Sequence, residues 1–182
     1  MKGAIAIILV LLCICRTASP QSANDGHIEG DTYINSYFHF SFMWPKIVKP
    51  RDPRTLILPG TSGPKEFLMF SAQEDNRPFG IVMLAGKTAP NGIRYGNDFL
   101  GRVIRGWSPT STGRVLNRET ITGTNGLKFE ILDYKYGDEW NSAITTQVGG
   151  YLIAVRCNAS NASDLAQMRS SVLASRSTAT QK

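Results

Sequence analysis

Hydrophobic and polar positions alternate most regularly between Gly126 and Asn158, where three consecutive β-strands are predicted: Leu127–Tyr136, Glu139–Val148 and Tyr151–Cys157. Tyr136-Gly137-Asp138 closes the first turn and Gly149-Gly150 the second. A Gly-Gly pair supplies positive φ at both central positions, as a type I′ hairpin demands. Trp140, Ser142, Ile144, Thr146 and Val148 share one face, and Tyr151, Ile153, Val155 and Cys157 share another. A meander of this kind predicts an antiparallel sheet.

Upstream, Phe38, Phe40, Phe42 and Trp44 alternate with His39, Ser41 and Met43. This pattern predicts a strand whose aromatic face meets the core, each ring contributing about 1.5–3 kcal/mol if fully buried. His39 should then face outward, and Pro45 ends the strand. Glu66–Ala72 and Phe79–Ala85 read as strands apolar on both sides, hence a sheet covered on both faces, with Glu74–Pro78 as their turn. Arg114–Thr122 reads as a strand with a polar outer side, followed by a turn at Thr124-Asn125-Gly126.

Two helices are predicted. Phe99, Leu100, Val103, Ile104 and Trp107 make one helical stripe behind a cap at Asn97 or Asp98. Leu165, Met168 and Val172, with Leu173 beside them, make another, capped by Asn161 or Ser163 with Asp164 near its positive end. Asn158-Ala159-Ser160 and Asn161-Ala162-Ser163 match the N-glycosylation pattern, but helix capping explains the same residues. From Ser175 the tail is polar and is expected to fray.

The longest irregular stretch, Lys46–Pro64, gathers Lys46, Lys49, Arg51 and Arg54 against a single acid, Asp52. A loop of this length reads as a solvated surface or as a basic docking surface for an anionic group. At the N-terminus, Lys2 precedes the 12-residue apolar run Ala4–Cys15, and small polar residues follow it. The run is shorter than the roughly 20 residues that span a bilayer, so a secretory leader is expected, cut after Ser19 or Ala23. The expected division is a leader at 1–23, a flexible lead-in at 24–32, one globular domain at 33–176 and a disordered tail at 177–182. The product would be periplasmic or extracellular, with no membrane span once the leader is gone.

Loss of Lys2 and Arg16 with the leader lowers the net charge from +6 to about +4, a mild excess that gives no reason to expect nucleic acid. It would also leave Cys157 as the one cysteine, excluding an intrachain disulfide and placing a small thiol on an apolar strand face. Catalytic patterns are sparse. His27 and His39 are the two histidines, too few and too far apart in sequence for a metal cage, and no phosphate-binding glycine loop or nucleophile elbow occurs. Glu130 with Asp133, or Asp138 with Glu139, could pair as acid and base, but neighbouring strand positions point apart and the second pair sits at a hairpin tip. A Cys157–His39 pair would need two distant strands to be neighbours. No cofactor is expected.

Tyr33-x-Asn35-x-x-Phe38-x-Phe40-x-Phe42-x-Trp44-Pro45 resembles the entry signature of the PsbP-like (Mog/PsbP) superfamily, with His39 where that motif usually has glycine. The ending is similar too: a long hairpin, the strand Gly150-Tyr151-Leu152-Ile153-Ala154-Val155, a polar break and a short helix. The resemblance covers roughly residues 33–176. It implies an α+β fold: a central antiparallel sheet of about six to seven strands flanked by helices on both faces. It also implies a mostly non-catalytic accessory, assembly or docking role, and Lys46, Lys49, Arg51 and Arg54 compare with the cationic docking surfaces of the photosynthetic branch. No residue matches that branch's manganese- or calcium-related sites. The leading expectation is an exported binding or accessory module for an unknown protein or anionic envelope component. The alternatives are an envelope hydrolase using Glu130 or Asp133, and a small-ligand carrier with a cavity between sheet and helix.

Overall fold

Two tight hairpins build the centre of the molecule. In the computed structural model, which describes residues 22–51, 66–87, 100–101 and 113–177 apart from Asn24, Asn76, Pro78 and Asn125, Gly149 and Gly150 take φ of 56° and 78°. Both therefore occupy the left-handed region that the Gly-Gly turn requires. Strands β1 (His27–Glu29), β2 (Thr32–Asn35), β3 (Phe40–Met43), β4 (Lys49–Pro50), β5 (Glu66–Gln73) and β6 (Gly80–Lys87) precede the meander. The meander itself is β7 (Arg114–Thr122), β8 (Lys128–Tyr136), β9 (Glu139–Val148) and β10 (Tyr151–Ala159). Helix α1 (Ala162–Leu173) and β11 (Arg176–Ser177) follow.

Seven strands form one sheet in the order β4-β5-β6-β10-β9-β8-β7, and four form a smaller one in the order β1-β2-β3-β11. The pairings in both are antiparallel. The two rows that alternation assigns to separate faces fall on one: Ser142 stands opposite Cys157 and Ile144 opposite Val155. Alternation fixes parity within a strand, whereas the hairpin register fixes it between strands. One continuous row, Ile131–Ile144–Val155–Met83–Phe70, crosses five strands on this face, and each of its residues is buried.

The small sheet and α1 cover that row. Tyr33, Phe42 and Trp44 gather around Phe70 with ring centroids 5.3, 5.0 and 5.4 Å away. Leu165, Met168 and Val172 are the buried stripe of α1, as their spacing predicts. Asn161 caps the helix, its Oδ1 accepting from the backbone N–H of Asp164 at 2.9 Å. The other half of the glycosylation-like pair is used within the sheet, since Asn158 Oδ1 accepts from Gly80 N of the neighbouring strand at 3.0 Å. On the opposite face of the large sheet, Leu132, Tyr134 and Ala143 are buried with Leu100, which is helical with Gly101. The rest of the helix predicted around Phe99–Trp107 lies outside the described residues, as does the leader reading for residues 1–21.

Four differences from the sequence reading matter. The aromatic strand is shorter than its pattern: Ser36–His39 form a turn, and β3 begins at Phe40. Asn35 explains why. Its side chain accepts from Phe38 N at 3.2 Å and donates to Ala23 O at 3.0 Å, so a buried amide holds the turn. His39 is exposed there with φ of 49°, in the place where the resembled motif carries glycine. A side chain in that region costs roughly 1 kcal/mol. Second, the stretch read as a lead-in contains β1, whose His27, Ile28 and Glu29 pair with Ile34, Tyr33 and Thr32. Third, the irregular stretch after Pro45 contains β4, paired with Gln73 and Ala72 of β5. Fourth, the expected fraying from Ser175 does not occur through Ser177. Ser175 is buried, its carbonyl accepts from Thr124 Oγ1 at 3.1 Å, and β11 pairs with β3.

Candidate functional site

The basic positions singled out from sequence stand on the rim of the large sheet. Pro45 O accepts from Val48 N at 3.1 Å, and this turn delivers Lys49 and Pro50 to the edge of β5. Pro50 has no N–H to give, and an edge strand is where a sheet tolerates that. Arg51 N then donates to Ser71 O at 2.9 Å, extending the contact. Lys46, Lys49 and Arg51 are all exposed on this rim. Lys49 Nζ lies 2.5 Å from Asp75 Oδ2, whereas the side chains of Lys46 and Arg51 make no ion pair with another described residue. Arg54 lies outside the described residues.

The candidate acid–base pair does not assemble. Asp133 stands opposite Ser142 on the core face, and Glu130 stands opposite Thr145 with the Leu132 and Tyr134 row on the other face. An odd separation along a strand enforces this. Asp138 and Glu139 sit at the β8–β9 hairpin tip, Asp138 exposed and Glu139 half-buried. His27 Nε2 contacts Glu29 Oε1 at 3.1 Å on the exposed strand β1. His39 is exposed while Cys157 is wholly buried, so the two do not share a site. Among the described residues no cluster of three or more His, Cys, Asp or Glu side chains could hold a metal ion.

What the sheet does bring together is a polar row beneath α1. Asp133, Ser142 and Cys157 are consecutive across β8, β9 and β10. Arg169 reaches down from α1, donating from one terminal nitrogen to Asp133 Oδ2 at 3.0 Å and from the other to Glu119 of β7. The arrangement clamps the helix to two strands. Burial pushes the Cys157 thiol up to about 12, with the Asp133 charge adding to the rise and Arg169 opposing it. The thiol therefore stays protonated and is no nucleophile. In the unfolded chain it titrates near 9, so its contribution to stability is complete below pH 9 and is lost as pH rises from 9 towards 12. We expect native protein to resist iodoacetamide at pH 8 and to be alkylated once unfolded in guanidinium. Mass spectrometry showing rapid alkylation of the folded chain would contradict this.

A concavity lies between α1 and the outer face of the small sheet. It has a volume of about 800 Å³, is open to solvent and is lined by Ser41, Met43 and Arg176 on one side and by Ala166, Gln167 and Ser170 on the other. Sequence reasoning missed Arg169 and Arg176. Arg169 falls beside the buried stripe of its helix, and an unneutralised arginine there was the available signal. Arg176 sits in a strand of two residues, too short to leave a pattern.

No protein-family model matches the chain, and no curated protein matches it by sequence. Among solved structures it is similar to the solution structure of cyanobacterial PsbP (CyanoP) from Synechocystis sp. PCC 6803. The TM-score is 0.54 at 15% identity, covering 80% of this chain and 94% of that one. The fold is thus PsbP-like, and the resemblance carried by the Tyr33–Pro45 motif holds at the level of fold. No helix among the described residues is long and apolar enough to cross a membrane.

Proposed function

We propose that this chain is an exported, non-catalytic docking module that meets an acidic protein or another anionic envelope component through the rim at β4. The observation that carries the reading is electrostatic. Lys46 and Arg51 flank the edge strand, exposed and without a carboxylate partner among the described residues. Cations left unneutralised at a sheet edge both discourage edge-to-edge aggregation and attract an opposite charge. The likeness to a PsbP protein supports an accessory role by analogy of fold, which is a weaker warrant than the site itself. Glu130 and Asp133 stand on opposite faces of β8, which supports a reading without a carboxylate pair. Export is read from the apolar leader. Ala23 is buried and its carbonyl accepts from Asn35, an arrangement that a cut after Ser19 keeps and a cut after Ala23 removes.

The test is a quadruple variant, K46S/K49S/R51S/R54S, compared with the parent for capture of partners from an envelope fraction. We expect capture to fall and to be weaker for the parent at high salt, because exposed charges are screened within about 8–10 Å at ordinary ionic strength. The melting temperature should scarcely move, since the exposed Lys49–Asp75 pair contributes at most about 1 kcal/mol. Equal capture by parent and variant would remove the rim as the contact surface.

A further inference from the structure

The two edges of the large sheet are built differently. At one end stands β4, two residues long, with Lys49 and with Pro50 lacking an N–H. Both residue types discourage another strand from pairing there. At the other end stands β7, nine residues long and free of proline. One side of its backbone pairs with β8, and among the described residues no strand pairs with the other side. Seven of its nine residues are exposed, whereas Glu119 and Ile121 are half-buried. The layers that bury Phe129, Ile131 and Leu132 of β8 therefore stop short of β7, leaving room above and below it for one more strand.

A bulge between Val115 and Asn117 interrupts the edge near its start. Past the bulge, Asn117 to Thr122 pair with β8 in unbroken register. Thr120, Ile121 and Thr122 favour extended backbone. An edge of this kind calls for the main chain of another extended segment. The order of charges along it admits a second copy of the same strand in one register. Two identical strands pair antiparallel about a two-fold axis normal to the sheet, and opposed side chains must share a face, so the axis passes through a residue. An axis at Arg118 sets two arginines against each other, and one at Glu119 sets two glutamates. An axis at Thr120 opposes threonine to threonine, Glu119 to Ile121 and Arg118 to Thr122, with no like charges face to face. Arg118 of one copy then shares a face with Glu130 of the other, which stands opposite Thr120. Axes beyond these three meet the bulge or run off the strand.

We propose that the exported chain forms a two-fold dimer by antiparallel pairing of β7 with β7 of a second copy, with Thr120 on the axis. Because β4 and β7 are opposite ends of one strand order, this junction doubles the sheet and leaves a basic rim at each far end, roughly 60 Å apart at the usual strand spacing. Two rims on one particle raise avidity for a repeated partner without any new contact. The dimer uses the edge remote from the rim, so it and the docking reading can fail separately.

The experiment is sedimentation of the purified exported chain from micromolar to millimolar concentration, with hydrogen exchange of its backbone amides. The parent should pass from monomer to dimer in this range, as suits an interface below the standard size. Amides between 117 and 122 should gain protection as it does. T120K and T120E each place like charges together on the axis and should weaken the dimer at least about fivefold. Thr120 is exposed, so both variants should keep the parent's circular dichroism. An equimolar mixture of the two should restore association, since lysine then opposes glutamate. K49S/R51S should dimerise within about twofold of the parent. Three results would overturn the assignment: a parent still monomeric at millimolar concentration, a T120K and T120E mixture no tighter than either variant alone, or a loss in K49S/R51S with none in T120K, which would move self-association to the rim. A monomeric parent whose amides between 117 and 122 gain protection only in envelope extract would also overturn it, giving the edge to a strand of a different protein.

Discussion

Replacing Gly80 with alanine should cost at least about 3 kcal/mol and lower the melting temperature by roughly 6–12 °C. Gly80 opens β6 opposite Gln73, and a Cβ placed there would lie 2.0 Å from Ala72 O and 2.8 Å from Gln73 Cα. Both obstacles are backbone, so no side chain can swing aside. The strands must separate at their first pair, which strains the bond from Glu74 N to Phe79 O at 2.8 Å and the one from Gly80 N to Asn158 Oδ1 at 3.0 Å. Gly126 is the control. Its added Cβ would meet nothing within 4 Å, but its φ is 77°, so alanine there should cost about 1 kcal/mol through backbone strain alone. Thermal unfolding followed by circular dichroism separates the cases. A Gly80→Ala protein melting within about 2 °C of the parent would show that β5 and β6 do not approach as described.

Arg169→Met should be the next most damaging change, at about 2–3 kcal/mol. Methionine keeps the packing of the aliphatic stem and removes the charge, so the loss reports the clamp and not a cavity. Asp133, whose side chain is only 11% exposed, would be left as a buried carboxylate without its cation. The partial exposure of Arg169 and Glu119, at 26% and 35%, keeps the expected cost below that of a fully buried triad. The double variant Arg169→Met with Asp133→Asn should recover part of the loss, giving a coupling energy of about 1 kcal/mol or more in a double-mutant cycle. Denaturant unfolding of the parent, the two single variants and the double variant measures the cycle. Additive effects would mean that helix and sheet are joined by apolar packing alone.

The polar row under α1 also shows why so little of the candidate chemistry was readable in advance. Asp133 is visible in sequence as an acid on a strand, and Arg169 as a base on a helix, 36 residues apart. Nothing local connects them. The pairing exists because the hairpin register places Ser142 beside Asp133 and because Leu165, Met168 and Val172 dock the helix at one rotation. The basic rim was easier, since Lys46, Lys49 and Arg51 are close in sequence. That they stand on a sheet edge was not legible, because β4 is two residues long and is defined by its partner β5.

By itself the sequence determined the local events. The glycine turns, the strands β7 to β10, the Asn161 cap and the buried stripe of α1 follow from φ preferences, alternation and helical spacing, all of which act between residues near in the chain. Tertiary structure decided what depends on distant partners: which strand faces coincide, the two-residue strands β4 and β11, the meeting of Arg169 with Asp133, and the groove that Arg176 enters. Such short strands have too few residues to hold a conformation alone. They gain it from a neighbour's hydrogen bonds, and only the folded chain brings that neighbour close.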